Sequence, residues 1–267
     1  METSQSVADH TRAPLRTALV GGGAGGIGSA VAAALLETGH RVVLAGRTKS
    51  TLAETASGLG DHADYIACDL ADHSAAAGAV AEIHRRYGAL DVVVANAGGP
   101  APGRVLEITG DQWHRDLDLL VLGPLALMRA ALPAMADGGF GRVVVLGSTA
   151  VRQPQAQLAS SSVLRSAAMS AAKLAAGEYA DRGVTVNCVA VGATLTPRRL
   201  EVVRSRADAA GIELATAIDR DLAGIPAGRA AAPREIAAAV AFLASSAAGY
   251  INGTVLTVDG GRTEYPL

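Results

Sequence analysis

The chain has 267 residues, half of them hydrophobic and 3% aromatic, with 23 basic against 25 acidic residues and a net charge of −2. That is too apolar for a disordered chain and long enough for one large α/β domain. Charges of both signs are interspersed without a long basic run, which excludes an electrostatic footprint for nucleic acid or an anionic membrane.

Residues 1–14 are polar, carry Glu2 and Asp9 and lack an apolar run, so they read as a flexible tail rather than a secretory signal. A strand is expected at 15–20, then a helix at 27–38 closed by Gly39. A strand at 41–45, a helix at 50–59, a strand at 65–68 and a helix at 74–87 follow. Residues 91–95 are nearly all apolar, as in a strand buried on both faces of a parallel sheet. Next come a helix over 112–135, an apolar strand at 141–147, a helix at 161–179 and a strand at 185–190. The stretch 194–225 holds two amphipathic helices, 198–209 and 213–222, joined at Gly211, before a helix at 233–245 and a strand at 254–258.

Seven strands separated by crossover helices predict a doubly wound parallel α/β sheet with helices on both faces, in one domain over 15–267. The longest uncharged apolar stretch near the middle, 119–128, is about half of what a membrane span requires. Cys68 and Cys188 stand apart without ligand spacing, so both read as small buried hydrophobes of a cytoplasmic protein, and no metal site is expected.

The first strand runs into GGGAGGIG. Gly22, Gly26 and Gly28 permit a sharp turn and close backbone approach to a pyrophosphate, whose charge meets a helix N-terminus, while Ile27 is a packing residue. After the second strand stands Ala45-Gly46-Arg47-Thr48. A carboxylate there would suit the ribose hydroxyls of NAD; a guanidinium suits a 2′-phosphate, so NADPH is favoured over NADH, with a solvated Arg47 as the bland alternative.

The spacing Gly22-x-x-x-Gly26-x-Gly28, Asp69 after the third strand and Asn96-Ala97-Gly98 after the fourth resembles the short-chain dehydrogenase/reductase family. Gly183-Val-Thr-Val-Asn187, Gly192 with Thr196, Phe242-Leu-Ala-Ser245 and Val258-Asp-Gly-Gly261 agree, so the resemblance runs from Leu15 to Gly261. It implies a Rossmann-type fold in which Asp69 contacts adenine, Asn96 and Gly98 line the cofactor cleft beside Gly192, and Thr196 reaches the nicotinamide amide.

In that family a Ser is followed after thirteen residues by Tyr and after four more by Lys, with a supporting Asn on an earlier helix. Here Ser148 fits the Ser; the same counting gives Ser161, Arg165 and, for the Asn, Leu120. The segment Met169–Lys173 also resembles the Tyr-to-Lys segment, but Arg165 lies eighteen residues before Gly183, the family's usual interval, and Lys173 only ten. Ser161 and Arg165 share a helix face. A Ser hydroxyl is a far weaker acid than a phenol, and losing a general acid costs on the order of 10²–10⁴ in rate. Arg165 can still hold the nicotinamide ribose and steady an oxyanion, with the proton drawn from water, a Ser161 relay or the substrate.

The resemblance implies an NADPH-dependent carbonyl reductase with a non-standard proton donor. The missing Tyr, Lys and Asn keep a catalytically silent nucleotide-binding or regulatory protein as an alternative, with a non-redox lyase or isomerase behind it. Residues 194–225 correspond to the family's substrate lid, and Pro100, Pro102, Val151 and Leu158 would wall a cleft for a small, largely apolar carbonyl compound. The family further implies a homodimer or homotetramer packed through the helices at 112–135 and 161–179.

Overall fold

The computed structural model describes residues 15–264; the tail expected at 1–14 lies outside the described residues. Seven strands form one parallel sheet in the order β3-β2-β1-β4-β5-β6-β7. They are β1 (Thr17–Gly21), β2 (Arg41–Gly46), β3 (Ala63–Ala67), β4 (Val92–Ala95), β5 (Gly141–Leu146), β6 (Val184–Val191) and β7 (Val255–Val258). The doubly wound α/β architecture is therefore as expected, with strand ends shifted by at most two residues.

Side chains alternate across a strand, so each central strand feeds two cores. Val93 and Ala95 of β4 pack with α3 (His73–Tyr87), α5 (Gly123–Asp137) and α6 (Ala159–Tyr179). Val92 and Val94 pack with α1 (Gly26–Glu37), α2 (Lys49–Leu59) and α9 (Pro233–Ala244) on the other face. Burying each such Val contributes about 1.5–3 kcal/mol.

The helix expected over 112–135 is interrupted. α4 (Gly110–Leu117) passes through a five-residue π-helical turn, Asp118–Leu122, into α5. At its end Gly123 lies so close to the chain after β3 that a Cβ there would meet the Leu70 carbonyl oxygen at 2.2 Å. The run Gly110–Asp137 does contain a window long and apolar enough to cross a membrane, which corrects the shorter apolar stretch read from sequence; 56% of that window is buried inside the fold. Leu127, Ala131, Leu132 and Met135 spend that apolarity on the core.

Between β6 and α9 the chain makes a helical hairpin of α7 (Pro197–Ala210) and α8 (Leu214–Ala223). Gly211 ends α7 in the left-handed conformation, φ +62°, at the joint expected for it. Val203, Ala207 and Ala217 give the hairpin a small core of its own. Cys188 is buried and Cys68 half-buried, both as free thiols; burial pushes the Cys188 thiol up to about 12, where it is inert at neutral pH.

Candidate active site

β1 and β4 are neighbours in the sheet, but their helices leave on opposite faces, and such a switch point opens a crevice outside the strand ends. A cavity of about 550 Å³ occupies it, within the range of small-molecule sites. One wall is the turn after β1. Gly22 there has φ +57°, and a Cβ on Gly28 would lie 2.1 Å from the Gly22 carbonyl oxygen. Ile27 packs into the core below, anchoring the turn. α1 starts without any side-chain cap, so its first amides are left for an anion. A tight glycine turn over an uncapped helix N-terminus fits the diphosphate of a dinucleotide.

The other expected cofactor residues divide. Arg47 lines the cavity, exposed, and forms no ion pair among the described residues. Asn96 donates its side-chain amide to the Gly21 carbonyl oxygen at 2.9 Å, tying β4 to β1 where the cavity begins. Gly98 leaves open space where a side chain would stand. Gly192 packs against Asp259 just past β7, and Thr196 lies over Gly26 while its hydroxyl accepts from the Arg199 amide to cap α7. Asp69 stands outside the cavity lining: its carboxylate accepts the Ala71 amide at 3.0 Å, which spends it on the turn leading to α3.

Ser148, Ser161 and Arg165 all line the cavity. Ser148 lies two residues beyond the end of β5, and its hydroxyl accepts from the Ala150 amide at 3.2 Å. Ser161 is buried on the first turn of α6, one turn ahead of Arg165. The Arg165 guanidinium donates to the Leu146 carbonyl oxygen at 2.5 Å; burial draws it down to about 10, and nearby Arg198 pushes the same way. Lys173 is exposed and lies against Gly253, away from the cavity. Leu120 is buried inside the π-helical turn against Leu164. Pro100 and Leu158 do wall the cavity, whereas Pro102 and Val151 do not; Val151 packs against the core beneath.

Among the described residues, no Tyr, His, Cys, Lys or Glu lines the cavity. The one carboxylate, Asp221 on α8, is buried and bound by three guanidiniums: Arg199 at 2.8 Å, Arg206 at 2.9 Å and Arg262 at 2.9 Å. Burial raises the Asp221 carboxyl, but the hydrogen bond and charge of Arg262, with Arg206 and Arg199, outweigh it and hold the group below the ordinary carboxylate value. Sequence reading missed this cluster. Its one signal was the seven-residue spacing of Arg199 and Arg206, two turns on one face of α7; Arg262 joins only through the fold.

A doubly wound parallel sheet with this glycine turn and switch-point cavity defines a dinucleotide-binding α/β protein. A family model described as enoyl-(acyl carrier protein) reductase matches residues 22–263. Cis-4-hydroxycyclohexanecarboxylate dehydrogenase of Sinomonas cyclohexanicum is 35% identical over 251 residues, 93% of this chain and 96% of that protein. The 3-oxoacyl-(acyl-carrier-protein) reductase FabG of Salmonella typhimurium is 31% identical, covering 92% and 96%. An actinorhodin polyketide ketoreductase variant solved with NADPH has TM-score 0.90 and 32% identity, covering 94% of this chain and 98% of its own. The chain belongs to the short-chain dehydrogenase/reductase family.

Proposed function

We propose that this protein is an NADPH-dependent carbonyl reductase working without a phenolic proton donor. The observation that carries the reading is the intact glycine turn sharing one cavity with Ser148 and Arg165. The unpaired Arg47 supports a 2′-phosphate, and so NADPH over NADH. Gly22, Gly26 and Gly28 would hold the diphosphate; Asn96, Gly98, Gly192 and Thr196 would border the rest. When bound, the reduced nicotinamide supplies a hydride to the carbonyl carbon.

The chain's own task is then the carbonyl oxygen. Ser148 donates its hydroxyl hydrogen bond to it, and the Arg165 cation opposes its growing negative charge. Fixed donors of this kind are each worth on the order of 10²–10³ in rate. The proton that completes the alcohol comes from water or through the buried Ser161 hydroxyl. Leu158 and Pro100 hold the apolar part of the substrate, and α7–α8 serves as the lid. The protein is further read as a cytoplasmic homodimer or homotetramer.

A silent nucleotide-binding protein is the second reading, favoured by the lack of an ordinary general acid among the described residues that line the cavity. NADPH oxidation over a panel of ketones, quinones and cyclic keto acids decides between them. The panel includes 4-oxocyclohexanecarboxylate, since the Sinomonas relative is named for the matching hydroxy acid. Turnover of any member supports the reductase; tight NADPH binding with no turnover on any of them selects the binder.

A further inference from the structure

We infer that the α7–α8 end of the cavity is an anion subsite, so that the substrate is a carbonyl compound whose apolar body carries a carboxylate. This rests on the reductase reading and specifies the substrate class of the same site.

Among the described residues, six arginines line the cavity against the single carboxylate of Asp221. Arg47, with Thr48 and Thr51, lines it from the segment that follows β2. Arg198 is paired with Glu201 at 3.1 Å and also donates to the Pro100 carbonyl oxygen. Arg165, Arg199, Arg206 and Arg262 remain, and Asp221 balances only one of those four charges. A half-enclosed site with that surplus attracts an anion far more strongly than the same charges would in open solvent.

The hydrogen bonds leave room for one. Arg199 and Arg262 each use one terminal nitrogen on Asp221. The Arg199 Nε is buried without a partner. Arg206 is held in place from both sides, by Asp221 at 2.9 Å and by the Gln155 side-chain oxygen. Burial draws the Arg206 guanidinium below its ordinary value; Asp221 opposes that, and the charges of Arg262 and Arg199 add to it. Val202 and Val203 stand beside these arginines and give the body of the ligand an apolar wall. A phosphate of the cofactor would satisfy the same donors, so the test must separate the two.

The probe pair is 4-oxocyclohexanecarboxylate and its methyl ester, equal in shape about the ketone but differing by one charge. The thermal midpoint of the NADP⁺ complex is measured with each, then kcat/KM for both in the wild type and in Arg199→Gln and Arg262→Gln. The acid is expected to raise the midpoint more than the ester and to be preferred by roughly 10- to 100-fold, the range of one charged hydrogen bond. In either variant that ratio falls towards one while the Kd for NADPH stays within about twofold. Equal shifts for acid and ester, or no shift with the acid, overturn the inference. A Kd for NADPH that rises in step assigns the arginines to the cofactor and overturns it as well. The midpoint needs no turnover, so a shift with the acid and no NADPH oxidation would reject the reductase while keeping the subsite.

Discussion

The Arg165 guanidinium on α6 donates to the carbonyl oxygen of Leu146, the last residue of β5, at 2.5 Å. That bond fixes a cation beside the strand end that presents Ser148. Among the described residues, no carboxylate forms an ion pair with this cation.

Replacing Arg165 therefore separates stability from turnover. In Arg165→Met the lost bond to Leu146 is offset by removal of a charge that burial disfavours, so the thermal midpoint should move by no more than about 4 °C. Turnover should fall on the order of 10²–10³-fold. Lys173→Ala, at a side chain lying against Gly253, should change kcat/KM less than about twofold. Steady-state kinetics with calorimetry on the same samples check this; a large Lys173 effect beside an unaffected Arg165 variant would reverse the assignment.

The pH profile follows from the lining. Asp221 titrates below the ordinary carboxylate value and Arg165 is drawn down to about 10, and among the described residues no Tyr, His, Cys or Lys lines the cavity with them. The log of kcat/KM should be level from about pH 6 to pH 9. It should fall above about pH 10, because deprotonation removes the cation that faces the oxygen. A break between pH 6 and 8 would point to a titrating group outside this site.

Asp221 gives a stability prediction with a definite sign. Its folded-state value lies below its unfolded one, so its contribution is complete above roughly pH 5 and disappears as pH falls through the folded value. Asp221→Asn should lose about 3–5 kcal/mol at pH 7, since three arginines are left facing one another. Denaturant unfolding at pH 7 and pH 3 should show the gap from wild type shrinking in acid; a gap that widens would refute the assignment.

Two glycines separate turn geometry from helix propensity. A Cβ at Gly28 would overlap the Gly22 carbonyl, so Gly28→Ala should displace the turn and weaken NADPH binding at least tenfold, roughly the 1–3 kcal/mol of an overpacking clash. At Gly78, inside α3, a Cβ would meet nothing within 4 Å, and Gly78→Ala should gain about 0.5–1 kcal/mol. Fluorescence titration and thermal melts read the two effects.

Arg47 tests cofactor choice. Arg47→Asp should lower the preference for NADPH over NADH by tenfold or more, about the loss of one charged contact to a phosphate. Kinetics with both cofactors check it, and an unchanged ratio would leave Arg47 as a solvated charge.

The strands were legible because Val-rich runs between turn residues have one use in a chain of this kind. Residues 91–95 foretold β4, and the interval from Arg165 to Gly183 was enough to put Arg165 rather than Lys173 on the cavity side of α6. The π-helical turn at Asp118–Leu122 was not legible: every residue there is compatible with an α-helix, and the close passage of Gly123 past Leu70 exists only once the sheet has formed. Asp69 stands outside the cavity lining, where one of its carboxylate oxygens accepts the Ala71 amide in the turn that leads to α3.

By itself, then, the order of residues determined the parallel sheet, the glycine turn and the positions of Ser148, Ser161 and Arg165, because each depends on neighbours a few residues away or on a regular spacing. Tertiary structure alone decided the gathering of Arg199, Arg206 and Arg262 around Asp221. Those groups come from α7, α8 and the segment after β7, and charges that far apart in sequence have no reason to meet until the sheet has brought their supports to one edge.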